Sequence, residues 1–344
     1  MATKVSAGAD ALTAFDEELA ADHLEGHWRL GRALTPEPAV RSRPHLWRWD
    51  MIHRHLIRAG ETLGMEGGAS RRTLRLCAPG LSIAATTPTF QTSVQLVKPG
   101  EVAEAHRHTM TAFRFVLHGS GGFTTVEGEK FVMEPRDLIL TPQWAWHDHG
   151  NDTAEPMIWI DGHDQPLIQA LNACFFEPYH ARNQDVTRPA GFHNARAGAM
   201  RPRAAAPVGG APYIYKGREA LAALDALDEA DRDPYDGLTL DYVNPVTGGP
   251  TLATIACRLH RLEAGDRTRA RRHTASTVYS VVEGRGESTV AGERFRWGPG
   301  DMFLVPNWAW HEHRAEAPAV LFSVRDDPVF RPFGLYRSED AAAD

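Results

Sequence analysis

PGEVAEAHRHTMTAFRFVLHGSGGFTTVEGEKFVMEPRDLILTPQWAWHDHG, residues 99–150, decides the fold, because it occurs twice. The second copy, AGDRTRARRHTASTVYSVVEGRGESTVAGERFRWGPGDMFLVPNWAWHEHR, runs from Ala264 to Arg314. Gly100 pairs with Gly265, Gly119 with Gly284, Asp137 with Asp301 and Pro142 with Pro306. Trp144, Trp146, His147 and His149 pair with Trp308, Trp310, His311 and His313. The second copy is one residue shorter, between the positions of Gly121 and Gly128, as a turn tolerates. Phe113, Phe115 and Leu117 alternate with Arg114 and Val116 before GSGG ends the run. Phe123–Val126 follows, then a turn at Glu127-Gly128-Glu129, then Phe131–Met133, with further short strands at Asp137–Thr141 and Met157–Ile160. Many short strands at even spacing predict a β-sandwich or barrel in each copy.

Helical signals lie outside the copies. Leu12–Leu30 and His45–Ala59 carry helix-like apolar spacing, and Arg218–Ala230 reads as a short amphipathic helix. The stretch from Arg182 to Pro212, rich in Ala, Arg, Gly and Pro, reads as a linker or surface excursion with a boundary near residue 200. The expected order is an N-terminal helical segment over 1–70 and a first barrel over 71–180. A linker with a short helix over 181–232 and a second barrel over 233–344 complete it.

Within the first copy, His106-Arg107-His108 enters a strand, where residues two apart share a face, so both imidazoles point inward. Thirty-nine residues after His108 comes His147, in a Pro142–Asn151 segment close to the second cupin motif, whose histidine supplies a further ligand. Three neutral imidazoles on one side of a metal leave positions open for substrate and O2. The cupin carboxylate ligand, four or five residues past the HxH, is missing, since Ala112 and Phe113 stand there. Ligand type alone admits Fe(II), Zn, Ni or Cu. In the second copy Arg271 stands where His106 does, leaving His273 and His311. A guanidinium cannot ligate a cation, so the second barrel is expected to be metal-free and structural. The fold class is all-β with peripheral helices: a bicupin, two double-stranded β-helix (jelly-roll) barrels. Trp144, Trp146, Trp308 and Trp310 recur in both copies and read as packing.

Composition bounds the partners. The chain has 344 residues, 42% of them apolar and 24% charged, and a formal charge of −7, which gives no reason to expect nucleic acid. No run approaches the ~18 apolar residues of a membrane span. The N-terminal residues lack a basic-then-apolar secretory pattern. Cys77, Cys174 and Cys257 form no CxxC pair, so the expected location is the cytoplasm.

Across nearly its whole length the chain resembles the gentisate 1,2-dioxygenase family, whose relatives cleave salicylates and 1-hydroxy-2-naphthoate. The resemblance rests on HLWRW (45–49), RRTLRL (71–76), AHRHT, FRFVLHG, WAWHDHGN and WIDG within 99–162, DPYDGLTLDYVNPVTGGP (233–250), PNWAWHEH and GLYR (334–337). It implies Fe(II), a small aromatic acid and O2 as reactants, and a homotetramer. It implies insertion of O2 between the carboxyl- and hydroxyl-bearing carbons of a 2-hydroxybenzoate. It further implies that Arg114 binds the substrate carboxylate and that His149 acts as a donor to substrate or bound oxygen. Asp161 would accept a proton, although a turn-capping Asp before Gly162 is a rival reading. Gln95 would hydrogen-bond substrate, and one of Arg71 and Arg72 would reach it. The family reads aromatic-Ala-Gly-Leu/Ile-Gln before the HRH motif, whereas Gln91 takes the aromatic position here and Ser93 the small one. That departure implies an altered ring substituent: gentisate itself, or a 5-substituted salicylate such as a nitro or halo compound. Two other classes compete on the residues alone: a cupin isomerase or hydrolase using Zn or Mn, and a non-catalytic ligand-binding cupin.

Overall fold

The computed structural model describes residues 3–32, 35–64, 72–198, 203 and 213–342. Residues 1–40 form one compact unit, with a helix Thr3–Ala21 and a 3-10 turn His27–Arg32. The helix expected to reach Leu30 ends early because His23 turns left-handed (φ 58°) and Leu24 N–H reaches back to the Leu19 carbonyl. Asp16 then holds the following turn through Trp28 Nε1. Among the described residues no helix is long and apolar enough to cross a membrane.

Residues 41–344 form the second compact unit and contain both copies. Each copy folds into two facing sheets. In the first, a six-stranded sheet runs Ile214–Tyr215, Leu138–Thr141, Ala112–His118, Met157–His163, Gln91–Val97, Arg72–Arg75. Opposite it lie Phe176–Pro178, Val102–His108, His147–Gly150, Phe123–Val126 and Glu129–Val132. The second copy repeats this with seven and five strands. The hairpin turns Glu127-Gly128 and Ala291-Gly292 both take positive φ at the two central residues, the conformation that matches strand twist. With those turns equivalent, the missing residue of the second copy falls in the Gly119–Gly122 loop.

Each barrel borrows a strand from the segment that precedes the other. His45–Trp47, within a segment read from sequence as helical, pairs with Met302–Val305 of the second barrel. Ile214–Tyr215 pairs with Leu138–Ile139 of the first. In each case a basic residue and a helix follow: Arg48 and Trp49–Thr62, Lys216 and Gly217–Asp225. The repeated aspartates of the two copies receive them. Asp301 accepts from Arg48 Nη1 (2.9 Å) and Trp49 N–H (2.8 Å), and Asp137 from Lys216 Nζ and Gly217 N–H (2.8 Å). A carboxylate at the first turn of a helix satisfies an orphan N–H and meets the positive end of the dipole. Helical spacing alone could not show the break at Arg48, because the partner strand lies over 250 residues away. The expected boundary near residue 200 falls outside the described residues.

The six- and seven-stranded sheets pack against each other. Val94, Leu96, Phe113, Phe115, Ile158 and Ile160 face Leu259, Val278, Phe322 and Val324 in one core, with Phe115 stacked on Phe322 at 4.0 Å. Alternation then sends Gln95, Arg114, Trp159 and Asp161 to the other face, inside the first barrel, where Gln95 lies opposite Trp159 and Arg114 opposite Asp161. Asp301→Ala is expected to lower unfolding free energy by about 3 kcal/mol, through loss of charge-assisted bonds and a bared helix end. Chemical denaturation followed by circular dichroism checks it, and an unchanged midpoint would contradict the role given to Asp301.

Candidate active site

Strand Val102–His108 pairs with His147–Gly150 through a bulge between Ala103 and His106, which sets His106 directly opposite His147. With His108 on the same face as His106, three buried imidazoles converge. Their ring centroids are 5.4, 4.3 and 4.7 Å apart, and one nitrogen from each lies within 4.8 Å of the other two. Among the described residues this is the one cluster of three or more His, Cys, Asp or Glu side chains so placed. Each Nδ1 meets a backbone carbonyl: His106 that of Glu104 (2.8 Å), His108 that of Met110 (2.9 Å), His147 that of Ala145 (2.9 Å). A carbonyl only accepts, so each Nδ1 carries the proton and each neutral ring keeps its lone pair on Nε2. This is the donor set that a divalent transition metal requires, with ring orientation already fixed.

His149 lies two residues on, buried, with its ring 5.6 Å from that of His147 and 5.9 Å from Trp159. Thr124 Oγ1 donates to the Asp148 carbonyl (2.9 Å) and therefore accepts from His149 Nδ1 (2.8 Å). A neutral His149 consequently keeps an acceptor, not a donor, at Nε2, which reverses the polarity expected from the resemblance.

Arg114 is buried within the barrel, Nη1 donating to Thr141 Oγ1 (2.7 Å) and Nε lying 3.9 Å from Asp161 Oδ1. Burial draws the Arg114 guanidinium below its ordinary pKa, and the Asp161 carboxylate acts against that. Gln95 is fully buried, yet neither polar atom of its carboxamide has a hydrogen-bond partner among the described residues; Arg114 Nε, Asp161 Oδ1 and Trp159 Nε1 share that condition. Buried polar groups rarely stay unpaired, so this inner wall is built to meet a polar molecule.

The remaining expected residues divide. Gln91 and Ser93 share the inward face of the strand with Gln95. Ser93 Oγ donates to the Asp161 carbonyl (3.2 Å), and the Gln91 amide nitrogen to the Thr92 carbonyl (2.7 Å). Arg72 is not brought to the site. It sits opposite Leu96 on the far face of the sheet, near Gly60, and ion-pairs with Glu101. The strand register, which no motif displays, puts it there. Arg71 lies outside the described residues.

Two contributors went unread. Trp159 shares the face of Asp161, a relation that alternation in WIDG could have revealed. Phe176 stacks on His106 at 5.2 Å from a strand that pairs with His106–His108. No local signal announced that pairing. Trp144 and Trp146 form a rim over Arg107, as Trp308 and Trp310 do over Arg272, in keeping with a packing role.

In the second barrel Arg271 Nη2 donates to Asp236 Oδ2 (2.9 Å). Burial acts to raise the Asp236 carboxyl, but Arg271 and the neighbouring cations outweigh it and hold the group well below the carboxylate range. Burial keeps His273 well below, and His311 at about 4 against, the ordinary imidazole value, so both are neutral at pH 7. A fixed cation occupies the place of the first ligand.

The Cupin domain family matches residues 93–163 and 258–325. The chain is 41% identical to a 5-aminosalicylate 1,2-dioxygenase of Comamonas sp, over 96% of this chain and 91% of that one. It is 39% identical to gentisate 1,2 dioxygenase 1 of Aquipseudomonas alcaligenes, over 94% of each. Among solved structures, salicylate 1,2-dioxygenase from Pseudoaminobacter salicylatoxidans in adduct with gentisate superposes with a TM-score of 0.87 at 33% identity, covering 97% of this chain and 94% of that one. Two cupin barrels, a three-histidine cluster in the first and relatives of this identity along the whole length lead to one conclusion: the chain belongs to the gentisate/salicylate 1,2-dioxygenases and is a ring-cleaving dioxygenase.

Proposed function

We propose that the protein uses Fe(II) on His106, His108 and His147 to open a 2-hydroxybenzoate whose 5-substituent donates a hydrogen bond, namely 5-aminosalicylate or gentisate. The observation that carries this reading is that the triad on one sheet of the first barrel and Arg114, Asp161, Gln95 and Gln91 on the facing sheet all lie on inward faces. Bound Fe(II) would supply adjoining places for O2 and for the substrate's carboxylate and phenolate, with three neutral ligands leaving its full charge to attract both anions. Arg114 pairs with the carboxylate, a charge-assisted contact of roughly 1.5–3 kcal/mol. Gln95 and Trp159 supply hydrogen-bond groups to the same wall. The Nε2 lone pair of His149 and the Asp161 carboxylate are the acceptors available to the one phenolic proton of the 2-hydroxyl. Both oxygen atoms enter between the carboxyl-bearing and hydroxyl-bearing carbons, leaving a 2-oxo acid at one end of the opened chain and a carboxylate at the other.

Gln91 sets the preference for a donor. Its amide NH2 donates to the Thr92 carbonyl and to Thr86 Oγ1 (3.4 Å), so the oxygen is what it offers a ring substituent. An amino or hydroxyl group satisfies that oxygen; nitro and chloro groups present only acceptors and leave it unpaired. The similarity to a 5-aminosalicylate dioxygenase accords with this.

Oxygen uptake after anaerobic iron loading is the test, over gentisate, 5-aminosalicylate, salicylate, 5-nitrosalicylate, 5-chlorosalicylate and 1-hydroxy-2-naphthoate. The first two should exceed the nitro and chloro compounds about tenfold or more in kcat/KM, and Gln91→Leu should erase the difference. Iron-loaded protein inert toward the whole series would remove the proposal. Arg114→Lys, which keeps the charge but loses the planar fork, should raise KM about tenfold with iron content unchanged. Steady-state oxygen uptake beside metal analysis reads both; an unaltered KM would take Arg114 out of the carboxylate site.

A further inference from the structure

The bonds that orient the three imidazoles continue beyond the carbonyls that accept them. The carbonyl of Met110, which holds His108, belongs to the same peptide unit as the N–H of Thr111. That N–H donates to Asp164 Oδ1 at 3.0 Å. Asp164 is fully buried, and its Oδ2 accepts from Thr254 Oγ1 at 2.7 Å. Thr254 lies just ahead of strand Ala256–Leu262 of the second barrel. A hydrogen-bonded path thus runs from the second barrel through one carboxylate and one peptide to a ligand histidine of the first.

The corresponding peptides of the other two ligands end within the first barrel or its flanking segment. Ala105 N–H, beyond the carbonyl that holds His106, meets the Arg182 carbonyl. Trp146 N–H, beyond the carbonyl that holds His147, meets the exposed Glu127. Only the path from His108 crosses between barrels.

The same device is present in reverse. His273 donates to the Ala275 carbonyl (2.8 Å), Ser276 N–H to Asp326 Oδ1 (2.7 Å), and Thr89 Oγ1 of the first barrel to Asp326 Oδ2. His108, Thr111 and Thr254 occupy the same repeat positions as His273, Ser276 and Thr89, and Asp164 the position of Asp326. Two buried carboxylates therefore latch the barrels reciprocally, but only one path ends on a histidine of the triad, because the other ends beside Arg271. Burial pushes Asp164 up to about 6 and Asp326 up to about 7, so above neutrality Asp164 is the anion that receives both bonds.

We propose that Asp164 and Thr254 are positioning residues for His108, through which the barrel carrying Arg271 supports the metal centre of its neighbour. A carboxylate drawing on the 110–111 amide polarises that peptide, strengthens its carbonyl as an acceptor and holds the ring with its Nε2 inward. The inference rests on the reading of the triad as a metal site and adds to it a role for the second barrel.

Cobalt(II) binding to the metal-free protein, followed by visible absorption, separates the two claims without recourse to turnover. Thr254→Val keeps the shape and removes the hydroxyl. It should weaken cobalt affinity about tenfold and shift the ligand-field bands, while Thr254→Ser restores both. Thr89→Val removes the matching hydroxyl from the reciprocal latch and should leave cobalt affinity and spectrum as in the parent. Thermal unfolding of each metal-free variant reads the interface alone, and Thr254→Ala provides a second, deeper truncation with the same expected direction. Equal weakening by Thr254→Val and Thr89→Val would reduce the latches to packing and overturn the proposal, as would parental affinity in Thr254→Val. Parent protein that takes up no cobalt would overturn the triad reading and the relay with it.

Discussion

Three Nδ1–H bonds to backbone carbonyls hold the rest of the account together. Imidazole has two equivalent-looking nitrogens, and a histidine cluster without fixed tautomers is only a patch of weak bases. Here the carbonyls of Glu104, Met110 and Ala145 take the protons, leaving three lone pairs that share one small volume. The strand bulge at Ala103–His106 carries the Glu104 carbonyl, the turn at Trp144 carries that of Ala145, and the Met110 peptide is held through Thr111 N–H by Asp164. Backbone geometry therefore sets the chemistry of the side chains, and the barrel exists to keep that geometry rigid.

The second constraint is that the six-stranded sheet is buried on both faces. Phe113 and Phe115 need the apolar surface of the other barrel, and their burial forces Arg114 inward, where a guanidinium in a largely closed space needs anions. Asp161, opposite Arg114 on the neighbouring strand, answers part of that need. Without the second barrel the outer face would be exposed and the register that sets Arg114 against Asp161 would lose its support. Strand exchange through His45–Trp47 and Ile214–Tyr215 ties the two halves further, each crossing fastened by an aspartate of the opposite copy.

Much of this was legible in the sequence, for reasons of periodicity. A repeat that conserves glycines, aspartates and WAWH at matched spacing can only be two copies of one barrel. His106 and His108, two apart on a strand, must share a face. Alternation put Arg114 on the face opposite its two flanking phenylalanines, and the resemblance, not the periodicity, made that face the inner one. What stayed hidden depended on contacts between distant segments. The RR pair does not show which face Arg72 takes, and the pairing of Arg72 with Leu96 turns it away from the site. The strand at His45–Trp47 looked helical because its partner lies at the far end of the chain. The tautomer of His149 depended on Thr124, and the latches at Asp164 and Asp326 on threonines from the opposite barrel. Family membership decides for a ring-cleaving dioxygenase over a redox-neutral cupin enzyme or a binding protein, a choice the ligand residues alone left open.

One half of the molecule brings three lone pairs to one small volume, where they could hold a single ion, while the other half fills the matching place with its own cation. Anomalous diffraction at the iron edge, from crystals loaded with ferrous ion without oxygen, tests this division most directly. One peak per chain is expected, equidistant from Nε2 of His106, His108 and His147. A peak beside His273 and His311, or iron bound away from all three rings, would contradict it.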